Sequence, residues 1–311
     1  MTQTDSQAAC SGSVLVSIPK SGTHMTLKLY GRAGYLQTGA GEISASAHAI
    51  PREELIQRFL QTPPLAAIVD KHRSLGPDRI FALLAQHARG EIGQSREVEP
   101  ALQEAWSEVR RLSDRELFLP RLVVSTHLFS WQAASMRFLK AWGRTGVPAM
   151  VFNYRDPRAQ LVSMIRFLAE SSVVDEHPAV QVYRPILQEL GSMDRMLSFA
   201  IGDRAFPYRE VYRLNRWMLY HPRVLKLRFE DLVGEEGGGS RERQEEAVER
   251  WAKFLAVDIP AETLCQGLFG NTKTFEKGRV DSWRDVFKEH HLREFEREFG
   301  DVLVDYGYAD D

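Results

Sequence analysis

Four short stretches of this sequence concentrate residues that bind anions or move protons. Pro19-Lys20-Ser21-Gly22-Thr23-His24 sets a lysine, two hydroxyls and a glycine at the start of a helical pattern. Unpaired backbone N–H groups and the helix dipole favour a phosphate at such a place. The lysine precedes the glycine and no G-x-x-x-x-G-K-[ST] occurs in the chain, so this is not the loop of nucleotide triphosphatases. A plainer reading makes Ser21 only a helix N-cap. Tyr154-Arg155-Asp156-Pro157-Arg158 is followed by Ser163, eight residues after Arg155, which puts a hydroxyl about two helical turns beyond a guanidinium. That pair can grip a second phosphate, or Arg155 can pair with Asp156 and merely fix the turn. Lys277-Gly278-Arg279 flanks a glycine with two cations, letting backbone and side chains reach one anion, although basic turns are common on surfaces. His127, in Ser125-Thr126-His127-Leu128, carries a ring whose ordinary pKa of about 6.5 suits proton acceptance at neutral pH, while a lone histidine after an apolar strand also serves as plain structure.

Apolar runs must position these residues. Val14, Leu15, Val16 and Ile18 read as a strand stopped by Pro19, and Thr23 to Tyr30 as the start of a helix. Leu122, Val123 and Val124 lead into Ser125-Thr126-His127, and Trp131 to Trp142 has helical spacing. Ala149 to Tyr154 is a third strand, turned at Pro157 into a helix over Arg158 to Glu170, and Arg223 to Phe229 is a fourth, ending at Glu230-Asp231-Leu232. Strands apolar on both faces and alternating with helices predict a parallel sheet covered on both sides, the α/β class. Ligands of open α/β sheets sit beyond the carboxyl ends of strands, where Lys20, His127 and Arg155 would converge. Gln37 to Pro120 carries helical patterns without a clear strand and reads as a helical insertion, and Ser171 to Pro222 has similar character. Gly234 to Ser240 reads as a glycine-rich surface loop, Arg241 to Arg250 as a solvated helix face, and His290-His291 as solvated helix surface. His24, His127, His290 and His291 lack the H-x-x-x-H or Cys-His spacings of a zinc site, so no metal is expected.

Together these motifs, in this order and separation, resemble the PAPS-dependent sulfotransferase family from about Ser13 to Tyr308. Pro19 to Thr23 resembles its 5′-phosphosulfate loop, Arg155 to Ser163 its 3′-phosphate motif, Leu227-Arg228-Phe229-Glu230-Asp231-Leu232 a further family segment usually with tyrosine at Phe229, and Phe275 to Arg284 its C-terminal cofactor loop. The resemblance implies a P-loop-like three-layer sandwich with a central parallel sheet and helical insertions. It implies a flexible tail over residues 1–12 and a single domain over 13–311, with 37–120 as an acceptor-side lid. Lys20, Ser21, Gly22, Thr23 and His24 would cradle the phosphosulfate of 3′-phosphoadenosine 5′-phosphosulfate (PAPS), and Arg155, Ser163, Phe229, Lys277, Gly278 and Arg279 would hold the rest of the nucleotide. Lys20 would meet charge on the departing phosphate oxygen of the product PAP. His127 would be the general base, taking the proton of an acceptor hydroxyl, or less readily of an amine, without a metal. Ser125 and Glu276 stand where relatives often have lysine and arginine, with Arg279 a candidate substitute, and Met25 stands where some have an adenine-side tryptophan.

With 311 residues, 43% hydrophobic and 26% charged, the chain has the balance of an ordinary globular protein and can bury a large core. A net charge of −2 supplies no field for nucleic acid or acidic membranes, so the expected partner is a small acceptor molecule. Cys10 and Cys265 are the only cysteines; no disulfide framework is expected, and a cytoplasmic setting fits. The start lacks signal-peptide features and no run approaches the roughly 18 apolar residues of a membrane span. Tyr30, Tyr35, Phe59, Phe81, Trp106 and Tyr183 lie on or near the two insertions, available to a hydrophobic acceptor or to helix core. The chain looks more like bacterial small-molecule and natural-product sulfotransferases than membrane-anchored relatives. Two rivals remain on the residues alone. A nucleotide-dependent kinase would use the first loop for ATP, against the absent Walker lysine. A binding protein that keeps the adenosine bisphosphate site without transfer is suggested by Ser125 and Glu276.

Overall fold

The computed structural model describes residues 12–39, 42–44, 63–76, 79–80, 83, 100–109, 111–112, 122–127, 142–143, 146, 148–170, 178–207, 209–270 and 279–309. Cys10, Phe59, Phe81, Glu276, Lys277, Gly278, most of the 37–120 insertion and the Trp131 to Trp142 helix apart from Trp142 lie outside the described residues. In chain order the elements are β1 (Ser13–Ser17), α1 (Thr23–Arg32), β2 (Leu36–Gly39), β3 (Glu42–Ser44), α2 (Pro63–Lys71), α3 (Pro100–Val109), β4 (Leu122–Thr126), β5 (Ala149–Tyr154), α4 (Pro157–Glu170), α5 (Pro178–Leu190), α6 (Met193–Gly202), α7 (Val211–Asn215), α8 (Trp217–Tyr220), β6 (Val224–Arg228), α9 (Phe229–Leu232), α10 (Arg241–Phe254), α11 (Ala261–Cys265) and α12 (Glu289–Tyr306).

Among the described residues six strands form one sheet in the order β3-β2-β4-β1-β5-β6, parallel except for β3, which runs antiparallel to β2. β1 and β5 are buried at every residue, as central parallel strands between two helical layers must be. Successive strand side chains point to opposite faces. Val14, Val16, Met150 and Phe152 accordingly join one apolar cluster with α4, α6 and α12, and Leu15, Val151 and Leu227 join another with α1 and α10. The result is the α/β three-layer sandwich with a central parallel sheet. Register then sets the site: Val16 pairs with Thr126 and Ser17 with Asn153, so the carboxyl ends of β4, β1 and β5 lie side by side.

Two expectations change, and one open alternative is decided. Strands β2 and β3 lie at the start of the stretch expected to lack them. Leu36-Gln37-Thr38-Gly39 is too short and polar to show alternation, and its strand state comes from pairing with β4, Leu36 to Leu122 and Thr38 to Val124. His291 is fully buried, not solvated surface. It belongs to an i, i+4 stripe of α12 with Phe295 and Phe299, its Nδ1 accepts from the Lys288 N–H at 3.1 Å and its Nε2 donates to the Asp194 carbonyl at 3.0 Å. Burial holds its pKa below the ordinary value, keeping it neutral. Tyr30 and Tyr35, 0% and 1% exposed, are core, Tyr30 edge-on to both Tyr35 and Trp251, and Tyr183 is also buried, so none of these three faces an acceptor.

The glycine-rich segment after β6 lies at the surface at Glu235, Glu236 and Gly238 as expected, but Gly234 and Gly237 are packed inward. A Cβ on Gly237 would lie 2.5 Å from Val233 Cβ and 2.7 Å from the Phe269 ring. The Gly237 carbonyl accepts the Val280 N–H at 2.9 Å, tying down the returning C-terminal segment. Gly237→Ala should therefore overpack this contact and destabilise the protein by about 1–3 kcal/mol, lowering the melting temperature by a few degrees. An unchanged melting curve would show that the loop is loosely packed.

Candidate functional site

The turn after β1 is held from below. Ile18 N–H continues the sheet to the Asn153 carbonyl at 2.9 Å, and Ser21 N–H closes back on the Ile18 carbonyl at 3.1 Å. Lys20 and Gly22 both take left-handed backbone angles, φ 67° and 83°. Buried Asn153 donates from Nδ2 to the Ser21 carbonyl at 2.8 Å and to Ser17 Oγ at 3.2 Å, and buried Gln160 donates to the Pro19 carbonyl at 3.1 Å. Ser17 Oγ also bonds Thr23 Oγ1 at 2.7 Å. The N-cap of α1 is Gly22, with no side-chain cap and no acidic residue in the first turn. Ser21 is therefore not a cap. Its hydroxyl is fully buried and makes no hydrogen bond among the described residues, a cost of about 1–3 kcal/mol that an anion in the turn would relieve.

Arg155, buried at the end of β5, donates from Nη2 to the Arg279 carbonyl at 2.9 Å and stacks its guanidinium 4.1 Å over the Phe229 ring. Asp156 does not pair with it. That carboxylate is taken by Arg158 at 2.8 Å, and Arg158 lies 3.9 Å over Trp283 and bonds the Tyr308 carbonyl. Burial pulls the Arg155 pKa below its ordinary value, partly offset by nearby Glu230. Glu230 accepts the Asp156 N–H at 3.0 Å and the Tyr308 hydroxyl at 2.8 Å, and burial pushes its pKa up. Phe229 meets Gly22 as well, because a Cβ there would lie 2.7 Å from its Cδ2. The first turn, Arg155, Phe229 and Arg279 thus form one continuous surface.

His127 follows the last residue of β4, with Nδ1 2.7 Å from the Ser17 carbonyl. A carbonyl only accepts, so Nδ1 carries a proton, and in the neutral form of the ring the lone pair is at Nε2. The His127 carbonyl accepts from Asn215 Nδ2 at 3.0 Å. Lys20 Nζ sits 4.5 Å over the Phe167 ring. His24 lies within electrostatic reach of both and keeps an exposed face; desolvation first, then Lys20 and His127, hold its pKa below the ordinary value. The structure thus brings Lys20, Ser21, Gly22, Thr23, His24 and His127 together at one end and Arg155, Phe229 and Arg279 at the other. Ser163 is half-buried on α4 and makes no hydrogen bond to Arg155 among the described residues, while Lys277 and Gly278 lie outside them. Ser17, Asn153, Gln160, Phe167 and Asn215 were not foreseen. Asn153 had a signal, being a polar residue in an apolar strand; the others had none. Among the described residues, two His/carboxylate groups, Asp194 with His290 and His291, and His72 with Glu104 and Glu108, include no residue of this site.

No family model and no curated protein matches the sequence. Among solved structures, mouse sulfotransferase SULT7A1 complexed with PAP aligns with TM-score 0.52 and 13% identity over 96% of this chain and 87% of that chain. Retinol dehydratase in a complex with retinol and PAP aligns more loosely, at TM-score 0.47 and 17% identity over 95% and 82% of the two chains. The first alignment establishes the fold class: this chain has the α/β fold of that sulfotransferase.

Gly22→Ala should put a side chain at φ 83° against Phe229, costing about 1–2 kcal/mol for the left-handed backbone alone. Urea unfolding should show a lower midpoint with unchanged slope. Native-like stability would mean that Gly22 is free to leave this conformation.

Proposed function

We propose that this protein transfers a sulfuryl group from PAPS to a hydroxyl, less readily an amine, of a small-molecule acceptor. The observation that carries this reading is the convergence, at three adjacent strand ends, of a lysine- and glycine-bearing turn at a helix start, a buried arginine left unpaired by its neighbouring aspartate, and an imidazole held at Nδ1. The residues present fit the nucleotide: the Ser21 hydroxyl and Arg155 Nε are buried without hydrogen-bond partners, and Gly22 keeps open a space that a Cβ would fill against Phe229. The motif order of the sequence and the shared fold support the same reading.

PAPS supplies a sulfuryl group already bonded to a good phosphate leaving group. The turn from Lys20 to His24 would hold the phosphosulfate end with backbone N–H groups and the Ser21 hydroxyl. Arg155 and Arg279, with Phe229 beneath the guanidinium, would hold the 3′-phosphate end, joined by Ser163, Lys277 and Gly278. His127 Nε2 accepts the acceptor's proton as its oxygen bonds sulfur, and the electron pair of the breaking S–O bond stays on the phosphate oxygen, where Lys20 meets it. Lys20 would leave the Phe167 ring to do so. His24, whose pKa desolvation and Lys20 hold below the ordinary value, adds a hydrogen-bonding ring. Among the described residues no helix is long and apolar enough to cross a membrane.

Mass spectrometry of products formed from PAPS and an acceptor library tests the reading directly by the added SO₃ mass; no product from any acceptor class would overturn it. PAP at one hundredfold its Kd should stabilise the fold by about 2.7 kcal/mol, a melting shift of a few degrees. AMP should give much less, and Arg155→Ala should remove most of the difference. Equal shifts from AMP and PAP would eliminate the 3′-phosphate site. His127→Ala should leave the PAP shift intact and cut turnover by about 10²–10⁴, whereas Lys20→Ala should lower turnover far more than PAP affinity. Near-native turnover in either variant would remove that residue from the chemistry.

A further inference from the structure

The short helix α7 carries two buried side chains that nothing in the sequence marks, and each ends on one pole of the site. Tyr212 donates its hydroxyl to the Arg155 carbonyl at 2.9 Å, and Asn215, three residues on, donates to the His127 carbonyl at 3.0 Å. Residues i and i+3 share a helix face, so one turn of helix reaches the ends of β5 and β4 together, across the end of β1. Both side chains are inside the protein, Tyr212 at 2% and Asn215 at 0% exposure. The helix is itself held, since the Tyr306 hydroxyl of α12 donates to the Tyr212 carbonyl at 2.8 Å.

We propose that α7 is a positioning clamp, in which Asn215 sets the general base and Tyr212 sets the phosphate-gripping arginine. His127 lies just past the last residue of β4, and its carbonyl is held by Asn215 and its ring Nδ1 by the Ser17 carbonyl at 2.7 Å. With the backbone pinned, the ring meets the Ser17 carbonyl in one orientation, which selects the Nδ1–H tautomer and presents Nε2. Losing Asn215 frees the backbone, and the ring then samples other orientations and the other tautomer. Tyr212 acts on the backbone of Arg155 in the same way, steadying a guanidinium that Asp156 does not hold. Neither residue touches the reacting atoms; both act through a neighbour.

The kinetic arm of this inference rests on the transferase reading, but its spectroscopic and binding arms do not. ¹⁵N spectra of histidine-labelled protein, with the His127 signal assigned by its loss in His127→Ala, should show a protonated Nδ1 and an unprotonated Nε2 at neutral to mildly alkaline pH. Asn215→Ala, or the same-sized Asn215→Asp, should mix the tautomers and lower kcat by about tenfold to a hundredfold, part of what a general base supplies, with PAP affinity unchanged. Tyr212→Phe should weaken PAP binding about three- to tenfold, the size of one hydrogen bond, and leave the imidazole spectrum unchanged. This crossed pattern supports the clamp. An Nε2–H tautomer in the native protein overturns it whether or not the variants fold. So does an Asn215 variant with native spectrum and kcat, or a pair of variants that move the same quantity. Absence of transfer with every acceptor, alongside the expected spectra and PAP affinities, would sink the transferase reading and leave the clamp standing.

Discussion

Ser17, the last residue of the central strand, is bonded in three directions, and the geometry of the site follows from them. Its carbonyl fixes the His127 ring, and its hydroxyl bonds Thr23 at the start of α1 and accepts from Asn153 on β5. The residue itself is fully buried, so leaving its groups unpaired costs about 1–3 kcal/mol each. One backbone position therefore ties the anion turn, the base and the neighbouring strand into a single rigid piece. Such fixed placement is what in-line group transfer needs, because orientation of the reacting groups accounts for much of a barrier reduction.

A second constraint is electrostatic. Two arginines sit buried within four residues of sequence beside a single aspartate, and the structure divides their surroundings unequally. Arg158 takes Asp156, Trp283 and the Tyr308 carbonyl and becomes a structural pair. Arg155 is left with an aromatic shelf and one backbone carbonyl. A buried guanidinium without a carboxylate partner retains its charge and is costly to keep, and burial indeed pulls its pKa down. Glu230, which supplies the main compensating charge, spends its two oxygens on the Asp156 N–H and the Tyr308 hydroxyl. The positive charge at the end of β5 is thereby held without being neutralised locally, the condition for attracting a second anion.

The C-terminal segment reaches this surface by close packing. Gly237 admits Val233 and Phe269 at distances that no Cβ would tolerate and offers its carbonyl to Val280, and one residue earlier Arg279 receives Arg155. Beyond it, Asp281 takes φ 60°, a strained angle for an aspartate that persists because both sides of the turn are anchored. Trp283 is then buried over Arg158.

Much of this was legible in the residues. The apolar runs at Val14, Leu122 and Ala149 could only be covered parallel strands, and the polar clusters that stop them at Lys20, Ser125 and Arg155 marked the end of the sheet where a site would form. Local composition determines such features, because strand burial and turn chemistry act over a few neighbouring residues. The tertiary structure decided which partner each group received. It made Asp156 the partner of Arg158 and not of Arg155, turned Leu36 to Gly39 into a strand through pairing with β4, and buried His291 in the α12 stripe. It also gave Asn215 and Tyr212 contacts 88 and 57 residues distant in the chain. Hydrogen bonds and ion pairs of that range depend on how elements pack, and no spacing along the chain encodes them.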